Sequence, residues 1–393
     1  MEREYRYLLE ILGAYINRRA TEPCPDADWD TMVKLAGIHT VTGILGHMTK
    51  KYNLCPEPQI SGTLRQAALA TAMKYARRAE RCGECCRMLK DAGITHILMK
   101  GAVVRDYYPV PELRTYGDVD LVIRPEDRDR CHKLMLDAGF TPKVDWGPVY
   151  SYVRGEEFYE VHTDIMEVDV SDRADYRGYF TRMWDYTIPR EDGSLEFTPE
   201  FHFLYQLTHI AKHIRGAGAG ARMYLDLAVC IQHFGDRMDW EWLRREMEAL
   251  ELLDFGSVAL TAAEQWFGVA CPMEKNAVPE ELMERFLAFT MEAGLYGKDD
   301  REMGLNALKR SGETGGGSRL GLLMQRIFPP VRQIKSRYTY LEERPWLLPV
   351  AWVHRVLKNR ENFADRAREA RTILSADGEE VTRLQRLCRE IGL

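Results

Sequence analysis

The chain is expected to fold as an α+β protein, with a small mixed β-sheet core flanked by N-terminal and C-terminal helical regions. Three observations lead there. Apolar residues recur at helical spacing through the first ninety or so positions. Between residues 94 and 198 the period shortens into brief apolar runs of strand type. From Thr198 onward helical spacing returns.

The elements follow in order. Tyr7, Leu8, Ile11, Leu12, Tyr15 and Ile16 mark a first helix, and Leu35, Ile38, Val41, Ile44 and Leu45 continue the pattern. Leu64 to Leu89 is a long Ala- and Arg-rich helix that stops near Asp91-Ala92-Gly93. Ile94 to Met99 is a short strand, and Gly101 to Tyr108 a helical turn stopped by Pro109 and Pro111. Asp118 to Ile123 is a strand. Pro125 to Gly139 is a helix with proline in its first turn and glycine at its end. Val149 to Arg154 and Glu157 to Met166 complete a compact α/β unit. Further helices are expected from Thr198 to Ile214, Arg222 to Phe234, Trp240 to Glu251, Gly256 to Phe267 and Glu280 to Ala293, with the connector Arg215 to Ala221 between the first two. The expected regions are therefore 1–92, 93–198 and 199–310, a Gly-rich linker at 311–318, and a basic, Trp-containing tail at 319–393.

Composition restricts the function classes. Apolar residues make up 45% and charged residues 29% of the 393, as in ordinary globular proteins, so disorder is not expected. A formal net charge of -6 gives no global field toward nucleic acid. The first residues are charged and lead into no secretory apolar run, so the nine cysteines are read as reduced and the chain as cytoplasmic. No run of 18 apolar residues spans a membrane.

The chemistry concentrates in "RTYGDVDLVI", residues 114–123. Asp118 and Asp120 are two apart, so in a strand both point to one face. Two such charges about 5 Å apart repel by roughly 3 kcal/mol at an effective dielectric of 20. A proton, a nearby arginine or a divalent cation must offset this. Upstream, "ILMKGAVVRDYY" runs a strand into a helix through Lys100-Gly101, where glycine admits an anion close to backbone N–H groups and Lys100 adds positive charge. Arg114 lies between the two motifs. Downstream, "EEFYEVHTDI" places Glu160 and His162 on one strand face, with Asp164 a weaker candidate there and Asp169 within reach if the strand bends. Glu160 could bind metal or take a proton from an attacking hydroxyl.

With Lys100-Gly101, Arg114, Asp118-Val119-Asp120 and Glu160-Val161-His162 assembled, the chain resembles the DNA polymerase β-type nucleotidyltransferase superfamily. Within it, the chain is similar to a large bacterial family of uncharacterised nucleotidyltransferases. The likeness extends over "LTHIAKHIRGAGAGARMYLDLAVC", with His209, His213, Arg222 and Asp226, and into the tail. The resemblance implies a nucleotidyltransferase α/β core in which Asp118 and Asp120 bind Mg²⁺, with Mn²⁺ as the alternative. Glu160 would be third carboxylate or base, and Lys100, Gly101 and Arg114 would hold phosphates of an NTP, ATP being the expected donor. His162, His209, His213, Arg222 and Asp226 would line the cleft, with Arg222 and Asp226 paired. One departure stands out: the superfamily's usual Gly-Ser turn is Lys100-Gly101-Ala102 here, so no serine hydroxyl is available at that position.

Other features have plainer readings. His209 and His213 are four apart without an adjacent glutamate, which argues against a zinc protease. Cys82, Cys85 and Cys86 share a helix with no second ligand cluster, as structural thiols would. Residues 319–360 carry nine Lys or Arg and two Glu, a local charge of +7, around "PWLLPVAWVHRVL". That segment suits an anionic membrane surface, which would make the chain peripheral at the inner membrane face, or a polyanionic partner; otherwise it packs back with a solvated basic face. The main expectation is Mg²⁺-dependent transfer of a nucleoside monophosphate to an acceptor hydroxyl on a small molecule, protein or RNA. The alternatives are a non-catalytic nucleotide sensor and a membrane-surface assembly factor.

Overall fold

The computed structural model describes residues 1–144, 147–166, 170, 173–190, 194–216, 218–294, 328–334, 338, 340–358 and 378–393. Four helices lead in: α1 (Glu2–Ile16), α2 (Trp29–Ile38), α3 (Thr42–Tyr52) and α4 (Pro58–Asp91). Asp28 caps α2 by accepting from the N–H groups of Asp30 and Thr31, satisfying two donors that the helix cannot. Proline at the first turn of α4 wastes no hydrogen bond there.

A mixed seven-stranded sheet follows, confirming the α+β class. Its strands are β1 (His96–Met99), β2 (Val119–Ile123), β3 (Thr141–Val144), β4 (Val149–Arg154), β5 (Glu157–His162), β6 (Thr187–Pro189) and β7 (Leu195–Phe197). The order across the sheet is β3-β4-β5-β2-β1-β7-β6. β2 lies between antiparallel β1 and parallel β5. The central β2 alternates: Val119, Leu121 and Ile123 enter one core, and Val122 the other.

Three strands exceed the sequence expectation. β6 and β7 are three residues each, too short to show a period, and β3 is a mostly exposed Thr-Pro-Lys-Val. β5 also ends at His162 rather than at Met166, and Asp164 turns back to accept from the Met166 N–H at 2.9 Å. The expected helix after Pro125 is a 3-10 turn followed by α6 (Arg128–Asp137). The turn after Lys100 is a four-residue helix, α5 (Gly101–Val104), continued as 3-10.

Beyond a short α7 (Tyr176–Phe180) come α8 (Pro199–Gly216), α9 (Ala221–Phe234), α10 (Trp240–Ala249), α11 (Leu253–Phe267) and α12 (Glu280–Ala293). These helices share one apolar core with α1–α3 and with the Ile97, Met99 and Val122 face of the sheet. The opposite sheet face packs on α4 and α6 through Tyr75, Cys82, Cys85, Leu89, Cys131 and Met135. A hydrogen bond to Cys86, with burial, raises the Cys82 thiol well above its ordinary range, burial does the same for Cys85, and all nine cysteines are free.

The linker at 311–318, Asp169 and much of the basic tail lie outside the described residues. The described part of the tail forms α13 (Val331–Ile334), α14 (Tyr340–Glu343) and α15 (Leu348–Lys358) around Ile334, Tyr338, Leu341 and Ala351. The last helix, α16 (Gly378–Glu390), returns to the main core through Leu387, Cys388, Ile391 and Leu393. No described helix is long and apolar enough to cross a membrane.

Candidate active site

The parallel register of β2 and β5 builds the floor of the site. Asp120 pairs with Glu160 and Val122 with His162, so Asp120, Glu160 and His162 project from the same sheet face. Asp120 is 3% exposed and its Oδ1 accepts twice, from Lys100 Nζ at 2.7 Å and from His162 Nε2 at 2.9 Å. Burial alone would raise the Asp120 pKa, but the Lys100 ammonium and His162 outweigh it and hold the carboxyl well below its usual range. Conversely, burial would lower the Lys100 pKa, and the Asp120 charge overrides that to keep the ammonium above its ordinary value. One oxygen each from Asp120 and Glu160 and one His162 nitrogen lie within 4.8 Å of one another. Asp118 precedes β2, and burial followed by the Asp120 charge raises its pKa.

Lys100 is held in an uncommon backbone conformation, φ 53° and ψ −130°, where β1 turns into α5. Its N–H donates to His202 Nε2 on α8 at 3.1 Å. His202 must therefore be neutral, and burial pushes its pKa down to about 4.

Gly101 makes its close approach to a guanidinium. A Cβ there would stand 2.1 Å from Arg114 Nη1 and 2.9 Å from Tyr116 Cβ. Arg114 in turn forms a buried bidentate pair with Asp226 of α9, Nε to Oδ1 at 3.1 Å and Nη2 to Oδ2 at 2.6 Å. Tyr108 donates its hydroxyl to the same Asp226 at 2.7 Å. Arg222 directs Nη1 to the Thr115 carbonyl at 2.6 Å and to Thr115 Oγ1 at 2.9 Å. Arg78 of α4 binds the carbonyls of Tyr116 and Gly117, fixing the loop that presents Asp118.

A cavity of about 360 Å³ gathers these groups. Lys100, Gly101, Arg114, Asp118, Asp120, Glu160, His162, His209, His213, Arg222 and Asp226 all line it, as does Asp164. Its lining carries both signs of charge. β2, β5 and their ends contribute the carboxylates Asp118, Asp120, Glu160 and Asp164, whereas α8 and α9 contribute the cations Lys212 and Arg222, the imidazoles of His209 and His213, and the carboxylate Asp226. The rings of His209 and His213 meet edge to face at 4.4 Å, and burial holds both pKa values below the ordinary imidazole value, that of His213 at about 4.

Sequence reasoning passed over His202, Tyr205, Gln206 and Lys212. Their signal was present: 202, 205, 206, 209, 212 and 213 form a polar stripe at helical spacing along an otherwise apolar α8. Tyr205 lines the cavity beside Lys100, and burial raises its hydroxyl pKa to about 12.

The model of a family described as uncharacterised nucleotidyltransferases matches residues 25–268, well over half of the chain. The chain belongs to this family. It is thus a nucleotidyltransferase, an enzyme of the transferase class. Among solved structures, the solution structure of the antibiotic-resistance factor ANT(2'')-Ia is similar at 12% identity and a TM-score of 0.33, over 44% of this chain and 93% of that one. No curated protein matches the chain.

Proposed function

We propose that this nucleotidyltransferase moves a nucleoside monophosphate from an NTP, with ATP as donor, to an acceptor hydroxyl on a small molecule, a protein or an RNA. The observation that carries this reading is the cluster of Asp120, Glu160 and His162 donor atoms within 4.8 Å on the floor of a cavity that Lys100, Lys212 and Arg222 also line. Two carboxylate oxygens and an imidazole nitrogen fit a divalent cation. Sequence reasoning assigned the metal to Asp118, Asp120 and Glu160; the geometric group has His162 in place of Asp118, which stands beside it in the cavity wall. When bound, Mg²⁺ or Mn²⁺ would neutralise charge on the phosphates during displacement.

The chain's own groups do the rest. Lys100 and Lys212 draw the triphosphate toward the floor. Arg114, clamped by Asp226 and donating Nη1 to the Thr115 carbonyl at 3.0 Å, shapes the wall behind Gly101. The acceptor oxygen bonds to the α-phosphorus as the bond to the bridging oxygen breaks. Pyrophosphate leaves, and the hydroxyl proton passes to Asp118 or Glu160, both carboxylates in the cavity wall. His209 and His213 border the acceptor side.

Calorimetric binding of ATP, CTP, GTP and UTP, with and without Mg²⁺, tests the proposal. Mg²⁺-dependent binding that disappears in an Asp118→Asn/Asp120→Asn variant supports it; binding indifferent to Mg²⁺ in both proteins refutes it.

A second reading, peripheral contact of residues 319–360 with an anionic membrane, is favoured by one observation. Trp346, Val350 and Val353, at helical spacing, are 72%, 56% and 60% exposed. Because α16 belongs to the main core, truncation before Arg319 would damage the fold. Flotation of Trp346→Ser/Val350→Ser with anionic vesicles is the cleaner test, and unchanged flotation would refute contact through this stripe.

A further inference from the structure

We infer that Lys100 is an internal cation that covers Asp120 until nucleotide phosphates draw it away, so that metal and nucleotide bind as a coupled pair. The inference rests on the proposed function.

The backbone argues first. Residue 100 sits at φ 53°, a conformation that glycine adopts freely and lysine does not. The strain is maintained by the bond from the Lys100 N–H to His202 Nε2. A glycine here would relieve it. What the chain keeps by holding a lysine is the side chain, and that side chain ends 2.7 Å from Asp120 Oδ1.

The carboxylate argues second. Asp120 Oδ1 serves Lys100 Nζ and His162 Nε2 together, which uses both of its lone pairs. A divalent cation that takes this oxygen must displace one of the two. His162 can turn from donor to ligand, its Nε2 lone pair facing the metal once the ring proton sits on Nδ1, and it lies within the same 4.8 Å group. An ammonium has no lone pair to offer and repels the metal. Lys100 is therefore the group that leaves.

The destination is the third point. The Lys100 side chain is 20% exposed and lines the cavity, with four flexible carbons behind the ammonium. A triphosphate entering there offers the partner that replaces Asp120. Each ligand then prepares the site for the other: phosphate draws off the lysine, and metal fills the place it leaves. By linkage the coupling is reciprocal.

The test uses Mn²⁺ as probe, with the free ion read by electron paramagnetic resonance. Wild type, Lys100→Met, Lys100→Gln and Asp120→Asn are each titrated alone and with a non-hydrolysable ATP analogue, with circular dichroism confirming their folding. In wild type the analogue should tighten Mn²⁺ binding about 5–150-fold, the usual span of such couplings. In Lys100→Met and Lys100→Gln, Mn²⁺ alone should bind tighter than in wild type by a factor in that same range, and the enhancement by the analogue should shrink. If wild type binds Mn²⁺ with the analogue but neither lysine variant gains affinity for Mn²⁺ alone, the internal-cation role is overturned and the proposed function stands. If wild type binds no Mn²⁺ with the analogue, or if Asp120→Asn binds as well as wild type, both fail.

Discussion

Replacing Gly101 by alanine tests the packing that joins the Lys100-Gly101 turn to the Arg114–Asp226 pair. The new Cβ would lie 2.1 Å from Arg114 Nη1 and 2.9 Å from Tyr116 Cβ, where ordinary contact begins at 3.4 Å. Arg114 must withdraw by more than an ångström. It is not a flexible side-chain end that can swing clear, because Asp226 holds its Nε at 3.1 Å and its Nη2 at 2.6 Å in a buried setting. Withdrawal by that amount strains both bonds and the one from Nη1 to the Thr115 carbonyl at 3.0 Å. Overpacking alone costs about 1–3 kcal/mol, and breaking a buried ion pair outright about 3–5 kcal/mol. An expected loss of about 2–4 kcal/mol lies between these bounds. At roughly 2 °C per kcal/mol for a large domain, Tm should fall by about 4–8 °C.

Thermal and urea unfolding measure this directly, with two comparisons to sharpen it. Gly37 is exposed near the end of α2, with nothing within 4 Å of an added Cβ. Gly37→Ala should therefore stabilise by up to about 1 kcal/mol through helix propensity. In a chain already carrying Arg114→Ala and Asp226→Ala, the clash has no clamped partner, and the cost of Gly101→Ala should shrink by about 0.5–3 kcal/mol. A Gly101→Ala protein as stable as wild type would refute the reasoning. So would an undiminished cost in the double-alanine background, since the strain would then not run through Arg114.

Three other outcomes are expected. Asp226→Ala leaves the Arg114 guanidinium buried without its counter-charge and should cost about 3–5 kcal/mol, whereas Tyr108→Phe, which removes one hydrogen bond to that carboxylate, should cost about 1.5–3 kcal/mol; urea unfolding ranks the two. His39 and His202 are buried, and burial pushes both pKa values down to about 4 from 6.5; each nitrogen accepts a backbone N–H, from Ala221 and Lys100 respectively. Because the unfolded chain takes up protons first, stability should hold above about pH 6.5 and decline as pH falls toward 4, by up to about 3 kcal/mol per histidine, and His39→Gln should flatten that slope by one proton. Asp28→Ala, which removes the cap from α2, should cost about 1 kcal/mol in the same assay, and no loss would mean that solvent serves Asp30 and Thr31 N–H equally well.

Much of the floor of the site was legible because it is local. Glu160 and His162 are two residues apart within β5, so that pair announces its shared face without any knowledge of the partner strand, whereas Asp118 falls just before β2 and the same spacing does not fix its face. The central strands β1, β2, β4 and β5 are apolar enough to show their period. The rest depends on contacts made across long stretches of chain. Arg114 meets Asp226 over a separation of 112 residues, and the backbone of Lys100 meets His202 over 102. Nothing in either neighbourhood names its partner. Arg222 lies four residues before Asp226, a spacing that invites a pair, yet the fold gives Asp226 bidentate contact with Arg114 and sends Nη1 of Arg222 to Thr115.

The decisive unreadable quantity is the register between β2 and β5. Glu160, Asp164 and, with a bent strand, Asp169 are all candidate third carboxylates by spacing alone. Pairing Asp120 opposite Glu160 selects one of them. Glu157 falls on the far face, buried against Arg81 and Arg154, and Asp164 lies past the strand end, holding the Met166 N–H. A slip of one residue would set Val161 beside Asp120 and remove Glu160 and His162 from the cavity together. The register is secured from the other face, where Val119, Leu121, Tyr159 and Val161 lock into the core against α4 and α6. The chemistry of the polar face is thus set by the packing of the apolar one. A cavity-forming change at Leu121 or Val161 should accordingly loosen the proposed metal binding at Asp120, read by the same Mn²⁺ titration.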